Sequence, residues 1–486
     1  MEFSEGWGWD EEYGDEREWG DESWASEIDD FLDCARIIYD EGDFLKTKIL
    51  YEEIFSILDM HEEAGYLPGP PDPLSLLTTD VKEAQFTLIR LKYLTSDPSD
   101  RISVMNEEAM QNPYLWNSTG FLEGVIGTDT APLPEFEQFL KEWIDLMRGN
   151  ISAKGDMLLR EAVRIDGGIQ AIEQYAFELG SKRPGFWRDL LEALANNKKI
   201  ERTAELSQKA LDIVDPDYTI RSEISDFLAL AAKSLDDDEL LLKAIRNGFH
   251  SSPDLDRLVS LALEANRQNC FKTEIDKACK RVEALCQREF KHTWDAESAM
   301  GSKTYADKNI LVWSLIFANR FDEAIKLCSN EKPVGWTYSS SGIVVPFMLL
   351  FLAREKTQNL MEPLESAISF MMESDLKSIL KSLDEVMQIR LPPETETEIF
   401  NWCVERVSNR ITEIVSNKYR KSYYKAAMLA AGVAEVMSEM QNEKASAEFL
   451  MKWKETFNRH SAFRKELRKY AKRSKIASVS NISSRL

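Results

Sequence analysis

The residues in this sequence with the clearest capacity for chemistry are three cysteines and a histidine that lie near one another in the chain. Cys270, Cys279, Cys286 and His292 are separated by eight, six and five residues. Thiolates and imidazoles are common ligands of Zn²⁺, but these spacings match none of the usual zinc hairpins. Cys279 and Cys286 stand seven residues apart on a predicted helix, so they share one face. The pattern favours buried core thiols over a zinc site.

Catalytic and nucleotide-binding signatures are absent from the sequence. His61 begins the run HEEAG, which lacks the second histidine of a zinc-protease helix, and neither common glycine-rich nucleotide loop occurs. No GxSxG motif is present. The serines at 339–341 have no histidine nearby in the sequence to act as a base, so we interpret them as part of a flexible surface loop. We therefore predict that the protein is not an enzyme and uses neither a metal nor a cofactor.

Two other polar groups are explained by helix ends. The run Asp236-Asp237-Asp238 lacks the glycine and the closing glutamate of a calcium loop. It predicts a turn and a helix start, with carboxylates near the positive end of the helix dipole. His250 precedes a Ser-Ser-Pro sequence at a predicted helix end, where a cation is favoured by the dipole.

The elements that carry these residues are short amphipathic helices arranged in pairs. The segment from Phe31 to Leu58 reads as two helices joined by a turn at Glu41-Gly42-Asp43. Such a pair cannot bury its apolar faces alone, so it implies stacked neighbours, and pairs of about 30–40 residues recur along most of the chain. The predicted apolar faces of the first pair are Phe31, Cys34, Ala35 and Ile38 on the first helix, and Phe44, Thr47, Tyr51, Ile54 and Leu58 on the second.

Length and composition support a helical repeat architecture. A chain of 486 residues is too long for one ordinary core, and its 21 glycines and 16 prolines are too few for a turn-rich all-β protein. We predict an all-α fold, an irregular α-solenoid of antiparallel helix pairs. The run from Ile343 to Ala353 is about half a membrane span, so we interpret it as a buried core helix and predict no membrane-spanning segment.

The chain divides by composition into a series of segments. We predict a disordered, acidic, tryptophan-rich tail (1–25), a first helix pair (26–65), a helical region with proline-rich loops (74–150), a helical-repeat array (151–330), a loop rich in glycine, serine and tryptophan (331–345), further repeats (346–444), a long basic amphipathic helix (445–475) and a disordered tail (476–486).

The first pair resembles the tetratricopeptide repeat through Phe31, Cys34, Ala35, Ile38 and Tyr51. The pair at 186–216 fits the same pattern with a turn one residue longer. A second resemblance, to the helical region of prokaryotic SWIM zinc-finger proteins, lies in the GDF run near the start, the KPVGWTYSSSG run and the closing RHSAFR run. The Cys-x-Cys and Cys-x-His elements of that finger are absent, so neither zinc nor nucleic-acid binding is implied.

Charge is distributed unevenly, and it suggests where partners bind. The net charge is −24, but residues 1–30 carry −12 and residues 452–486 carry +9. Aromatic residues in the acidic tail and in the 331–345 loop are candidate contacts with another protein, although tail aromatics could equally pack on the chain's own surface. These residues are Trp7, Trp9, Trp19, Trp24, Trp336 and Tyr338.

The basic helix near the end of the chain allows three interpretations. It could be a capping helix with a solvated basic face, a surface for nucleic acid or an anionic membrane, or a surface that pairs with the acidic tail or an acidic protein. The strongly acidic body opposes tight nucleic-acid binding. The cations concerned are Arg464, Lys465, Arg468, Lys469, Lys472 and Arg473.

Together these patterns predict a cytoplasmic, non-enzymatic scaffold that binds another protein. The six cysteines are widely spaced and contain no CxxC, which favours free thiols in a reducing compartment. The first residues have neither a basic nor an apolar stretch, which excludes an ordinary signal peptide. The alternative function is an accessory protein that associates with nucleic acid or another polyanion through its basic helix.

Overall fold

A computed structural model describes residues 23–63, 73–115, 120–129, 131–288, 299–336, 339–353 and 393–486. Within these ranges every regular element is a helix, and an isolated β-bridge joins Tyr218 to Lys303. The all-α fold is therefore confirmed. The chain divides into two compact units, of which unit 1 comprises residues 1–193 and 294–302, and unit 2 comprises residues 194–293 and 303–486.

Unit 1 is built from helices that each pack against close neighbours in the sequence. Short 3₁₀ turns at Pro73–Leu76 and Pro113–Leu115 occupy the proline-rich connections. The helices are α1 (Ser23–Asp40), α2 (Phe44–Glu63), α3 (Val81–Thr95), α4 (Arg101–Gln111), α5 (Phe121–Gly127), α6 (Phe136–Gly149), α7 (Ala153–Leu179) and α8 (Gly185–Asn196), whose last residues belong to unit 2.

Unit 2 continues the same arrangement of sequential packing, in which most helices contact the next one in the chain. Its helices are α9 (Ile200–Ile213), α10 (Ile220–Leu235), α11 (Asp238–Ser251), α12 (Leu255–Arg267), α13 (Phe271–Cys286), α14 (Lys308–Phe317), α15 (Phe321–Cys328), α16 (Ser341–Ala353), α17 (Pro393–Ser416), α18 (Tyr423–Met440), α19 (Glu443–Thr456), α20 (Ser461–Arg473) and α21 (Ala477–Ile482).

One backbone turn recurs between the two helices of a pair, and it defines the repeat. In each case one residue takes a left-handed conformation, and the N–H of the next residue donates to the carbonyl five positions earlier, as in a Schellman motif. The turns are centred on Gly42, Lys198, Asp236, Asn269, Asn319 and Lys418. The bonds are Asp43 to Ile38 (3.3 Å), Lys199 to Leu194 (3.0 Å), Asp237 to Ala232 (3.0 Å), Cys270 to Ala265 (2.8 Å), Arg320 to Leu315 (2.8 Å) and Tyr419 to Ile414 (3.0 Å).

The first helix pair forms as predicted, but the buried face of α1 is different. The buried residues of α2 include the predicted Thr47, Tyr51, Ile54 and Leu58. On α1 the prediction is wrong for Phe31 and Cys34, which face solvent, whereas the predicted Ala35 is buried. The helix begins at Ser23, inside the segment predicted as tail, and from there a different set repeats at three- and four-residue intervals. The inward residues are Ala25, Ile28, Leu32 and Ala35.

A kink at Gly168 divides α7 into two helical segments. Gly168 lies outside helical geometry, at φ 58° and ψ −146°. A left-handed φ is tolerated at glycine because it has no Cβ, so the chain bends here between the two segments.

The predicted core helix at 343–353 is confirmed. All thirteen residues of α16 are buried, including Pro346. It packs against α18, whose residues from Ala426 to Met437 are also buried throughout. Six of those twelve are alanine or glycine, which allows neighbouring helix backbones to approach closely. No helix in the described ranges has both the length and the apolar character that a membrane crossing requires.

The predictions for the final segment need two corrections. The basic segment 445–475 is two helices, α19 and α20, because the chain leaves helical geometry near Phe457. This break lets the ring of Phe457 pack edge-on against Phe463, with centroids 5.8 Å apart. The segment 476–486, predicted as disordered, contains α21 and closes the core with buried apolar side chains. These are Val479, Ile482 and Leu486.

Candidate interaction surfaces

The first helix pair carries large apolar side chains on its solvent side as well as in its core. Phe31 is 53% exposed and Ile37 60% exposed on α1, while Leu45 is 60% exposed and Ile49 53% exposed on α2. Leu45 and Ile49 are one helical turn apart, so they share a face. Ile57 on α2 is also exposed, at 43%. Isolated apolar residues on a surface are normal, but five within one helix pair indicate a contact surface.

Negative charge surrounds these apolar residues. Residues 23–63 contain twelve acidic and three basic side chains, so the pair carries a formal charge of −9. Glu27, Asp30 and Glu41 on and just beyond α1 are exposed. A surface that is both apolar and acidic favours contact with a basic protein segment and disfavours nucleic acid.

Of the predicted tail contacts, only Trp24 lies within the described residues. It is half-buried and packs against the core of the first pair. Trp7, Trp9 and Trp19 lie outside the described residues, as does Tyr338. The tail interpretation is therefore left as a prediction for those residues.

Trp336 is a correction, because it lies in the core and not on an exposed loop. Its side chain is 1% exposed, and the Arg410 guanidinium lies 4.7 Å from the ring centroid. Ser340 and Ser341 are also buried, so the flexible loop predicted at the serine run is wrong as well. Gly342 permits this packing: a Cβ at that position would lie 2.0 Å from the carbonyl oxygen of Trp336.

A polar network holds this segment against α17. The Glu331 carboxylate accepts from Lys308 Nζ (2.5 Å), from Ser340 N (3.2 Å) and from Ser341 N (2.7 Å). These donors outweigh partial burial and lower the pKa of Glu331 to about 2. From α17, Arg406 donates to the carbonyl of Glu331 (3.0 Å). The network caps the start of α16 and therefore has a structural role. The glycine- and serine-rich composition of the segment had indicated a surface loop.

Arg410 is the most deeply buried cation of this network. It is 3% exposed and donates to the carbonyl of Pro333 (3.2 Å). Burial lowers its pKa to about 10, and the Trp336 ring supplies a cation–π contact. The arginine therefore fixes the 333–336 segment in place, and it has no access to a partner protein.

The predicted basic surface on α20 is present, with one residue set apart. Phe463, Leu467 and Tyr470 face the core, as the amphipathic pattern required. Arg464 is half-buried. The other predicted cations are exposed and follow the opposite side of the helix, which gives a cationic stripe formed by Lys465, Arg468, Lys469, Lys472 and Arg473.

The cysteine cluster consists of core thiols where the structure describes it. Cys279 is buried, and burial raises its pKa to about 11. Cys286 is half-buried, and its thiol donates to the carbonyl of Ala306 (3.4 Å). His292 lies outside the described residues. Within the described ranges no group of three or more histidine, cysteine or carboxylate side chains is arranged to hold a metal ion.

The helix-end interpretation holds for the aspartate run but not for His250. Asp237 caps α11 by accepting from Leu240 N (2.9 Å), and Asp236 forms the left-handed turn residue. His250, expected to be a cation, is half-buried, with Arg281 and Arg246 nearby. Burial and these two cations lower its pKa to about 4, so it is neutral at physiological pH.

Comparison with known proteins does not assign the chain to a family. No family model matches it. No curated protein matches either. Among solved structures, it has some similarity to a circular tandem repeat protein with novel repeat topology and enhanced subunit contact surfaces, at 13% identity over 95% of this chain and 94% of that chain. The TM-score is 0.16, which is too low to indicate a shared fold. The helical-repeat fold is established by the helices and turns described above.

The sequence predictions missed the apolar contact residues on the first pair. Ile37, Leu45 and Ile49 were not singled out, because the search followed one apolar stripe per helix. The usable signal was a second apolar stripe on α2, formed by Leu45 and Ile49, which lie one helical turn apart. Only the structure shows which of the two stripes is buried.

Proposed function

We propose that this chain is a non-enzymatic scaffold that binds another protein, and that α1 and α2 provide a principal contact surface. The observation that supports this most directly is the exposure of Phe31, Ile37, Leu45 and Ile49 on one helix pair. Helical-repeat proteins commonly use such surfaces for binding, and the tetratricopeptide-like pattern of the first pair is in keeping with that use.

The energetics of these side chains suit a protein partner. Full burial of a leucine, isoleucine or phenylalanine side chain yields about 1.5–3 kcal/mol, so a few half-exposed residues could anchor a standard interface. The acidic surroundings would add electrostatic steering toward a basic partner. In this proposal Trp7, Trp9 and Trp19 would extend the contact from the tail, and the scaffold would act in the cytoplasm.

Capture from native extract tests the proposal. The full chain should retain a specific protein after cross-linking, and the Phe31→Ser, Leu45→Ser double variant should retain at least tenfold less. The matched control is Phe177→Ser with Leu230→Ser, which removes a Phe and a Leu that are about half exposed elsewhere in the chain, and it should capture normally. Equal capture by the two double variants would contradict a contact surface on the first pair, and no specific capture by the full chain would contradict the scaffold function.

A second candidate function rests on the cationic stripe of α20. Five exposed cations on one helix face could bind the phosphates of a nucleic acid or another polyanion. Replacing Lys465, Lys469 and Lys472 by glutamine should then weaken binding to a labelled RNA or DNA duplex and flatten its dependence on salt. The control replaces Lys46 and Lys48, two cations on α2 in the acidic first helix pair, by glutamine. Binding that is independent of salt, or unchanged in the α20 variant, would exclude this role.

A further inference from the structure

An acidic groove lies among α1, α2 and α3, and its lining includes Arg36, the residue before the exposed Ile37. Its volume is about 460 Å³. Leu32 and Tyr51, both buried in the core of the pair, form its floor. The walls carry four carboxylates and one cation: Asp33, Asp40, Asp80, Glu83 and Arg36.

Tyr51 is the feature that distinguishes this groove from an ordinary acidic surface. The residue is 5% exposed, and its hydroxyl makes no hydrogen bond to any residue that the structure describes. Burial raises its pKa, Arg36 opposes that shift, and Glu83, Asp33 and Asp40 add to it. Four charged side chains from two helices therefore line the groove together with Tyr51.

Three of the groove carboxylates form no ion pair with any residue that the structure describes. Asp80 already caps α3, where it accepts from Lys82 N (2.8 Å) and from Glu83 N (3.2 Å). Asp33, Asp40 and Glu83 form no ion pair with a described residue, although Arg36 lies near Tyr51. Such a site has open acceptors for a cation that presents several N–H groups.

We propose that this groove binds the guanidinium or ammonium group of a basic side chain in the partner protein. The inference rests on the proposed scaffold function and assigns the chemistry of its partner. An entering arginine would donate to Asp33 and Glu83, and the Tyr51 hydroxyl would accept a further N–H. Ile37, the residue after Arg36, would contact an apolar side chain beside it. The chain's own tail is a poor occupant, because residues 1–22 carry ten acids against one arginine.

Peptide binding to the full chain tests this inference. The probe is a fluorescent peptide of alternating arginine and leucine, and its matched control carries citrulline in place of each arginine, which keeps the shape without the charge. The arginine peptide should bind at least tenfold more tightly than the citrulline peptide, with an affinity that falls as salt is raised. Spermidine should compete weakly, because it lacks the neighbouring apolar contact.

Variants locate the binding within the groove. Asp33→Asn with Glu83→Gln should weaken peptide binding at least tenfold, and Tyr51→Phe should weaken it about three- to tenfold by removing one charge-assisted bond. Glu27→Gln with Asp30→Asn removes the same charge from exposed positions of α1 outside the groove and should change affinity less than twofold. Equal losses in the two double variants, or spermidine binding as tightly as the peptide, would overturn the inference.

The outcome is separable from that of the proposed function. If the extract experiment captures a partner through Phe31 and Leu45 but the arginine peptide does not bind, the scaffold function stands and the cation site is wrong. If the peptide binds the groove but no protein is captured, the site stands and the scaffold function is wrong.

Discussion

Replacement of Arg160 by methionine should destabilise unit 1 by about 3–5 kcal/mol, the largest loss expected from a single exchange of similar volume. Arg160 Nε lies 2.9 Å from Asp156 Oδ2, and its Nη1 contacts Asp189. Asp156 is 4% exposed. Arg183 is the next nearest cation to Asp156, at 3.7 Å, and it is mainly engaged with backbone carbonyls at the end of α6. Removing Arg160 therefore leaves a buried carboxylate poorly compensated.

Urea unfolding followed by circular dichroism would measure this effect. The control is Arg164→Met, which removes an exposed pair with Glu123 (2.9 Å) in the same unit and should cost about 1 kcal/mol or less. Adding Asp156→Asn to the Arg160 variant should recover part of the loss, because the unpaired charge is removed. A loss in the Arg160 variant no greater than in the control would show that the buried network is not energetically coupled.

The two units should respond to pH in opposite directions between about pH 4.5 and 6.5. In unit 2, burial lowers the pKa of His250 to about 4, below its ordinary value of 6.5. The unfolded chain therefore binds the extra proton first, and stability is lost as the pH falls through this window. The contribution approaches about 3 kcal/mol, from roughly 1.4 kcal/mol per pKa unit.

In unit 1 the sign is reversed. Glu161 is buried and accepts from the backbone N–H of Glu123 (2.8 Å). Burial raises its pKa to about 7, above its ordinary value of 4.5. The folded state binds the proton first, so stability present below pH 4.5 is lost as the pH rises toward 7, again by up to about 3 kcal/mol.

Hydrogen exchange resolved by peptide, at pH 5 and pH 7 with rates corrected for intrinsic exchange, would follow each unit separately. Glu161→Gln should flatten the pH dependence of unit 1 and leave that of unit 2 unchanged, and His250→Gln should do the reverse. Each variant is thus the control for the other. If both units lose protection in the same direction and neither variant alters it, the assignment to these two groups is wrong.

The positions of the helices in this chain were largely predictable, but which of their residues point into the core was not. The paired helices between residues 185 and 328 follow from apolar periodicity and from turn residues such as Asp236 and Asn319. The aromatic residue Phe31 fits a tetratricopeptide position, yet the core of the pair takes Leu32, one residue later. A one-residue shift of this kind depends on where the helix starts, which sequence reasoning places poorly.

Long-range contacts account for most of the remaining errors. Trp336 and the serine run read as a loop by composition, but Glu331 and Arg410, far apart in the chain, fold that segment into the core. The basic stretch 445–475 has one apolar period throughout, and its division near Phe457 follows from tertiary ring packing. The acidic groove likewise needs three helices, and no local pattern indicates that Asp33, Asp40 and Glu83 meet at Tyr51.

The recurring turn within each helix pair also constrains where the length of this chain can change. In the described pairs from α8 to α15, two or three residues join the helices inside a pair, whereas between pairs the connection ranges from three residues, before Leu255, to twenty-one, between Cys286 and Lys308. An insertion inside a turn would break the bond that closes the pair, but an insertion between pairs leaves every such bond intact. Each helix pair is thus a self-closed module, and engineered domains or tags are best introduced at the junctions between modules.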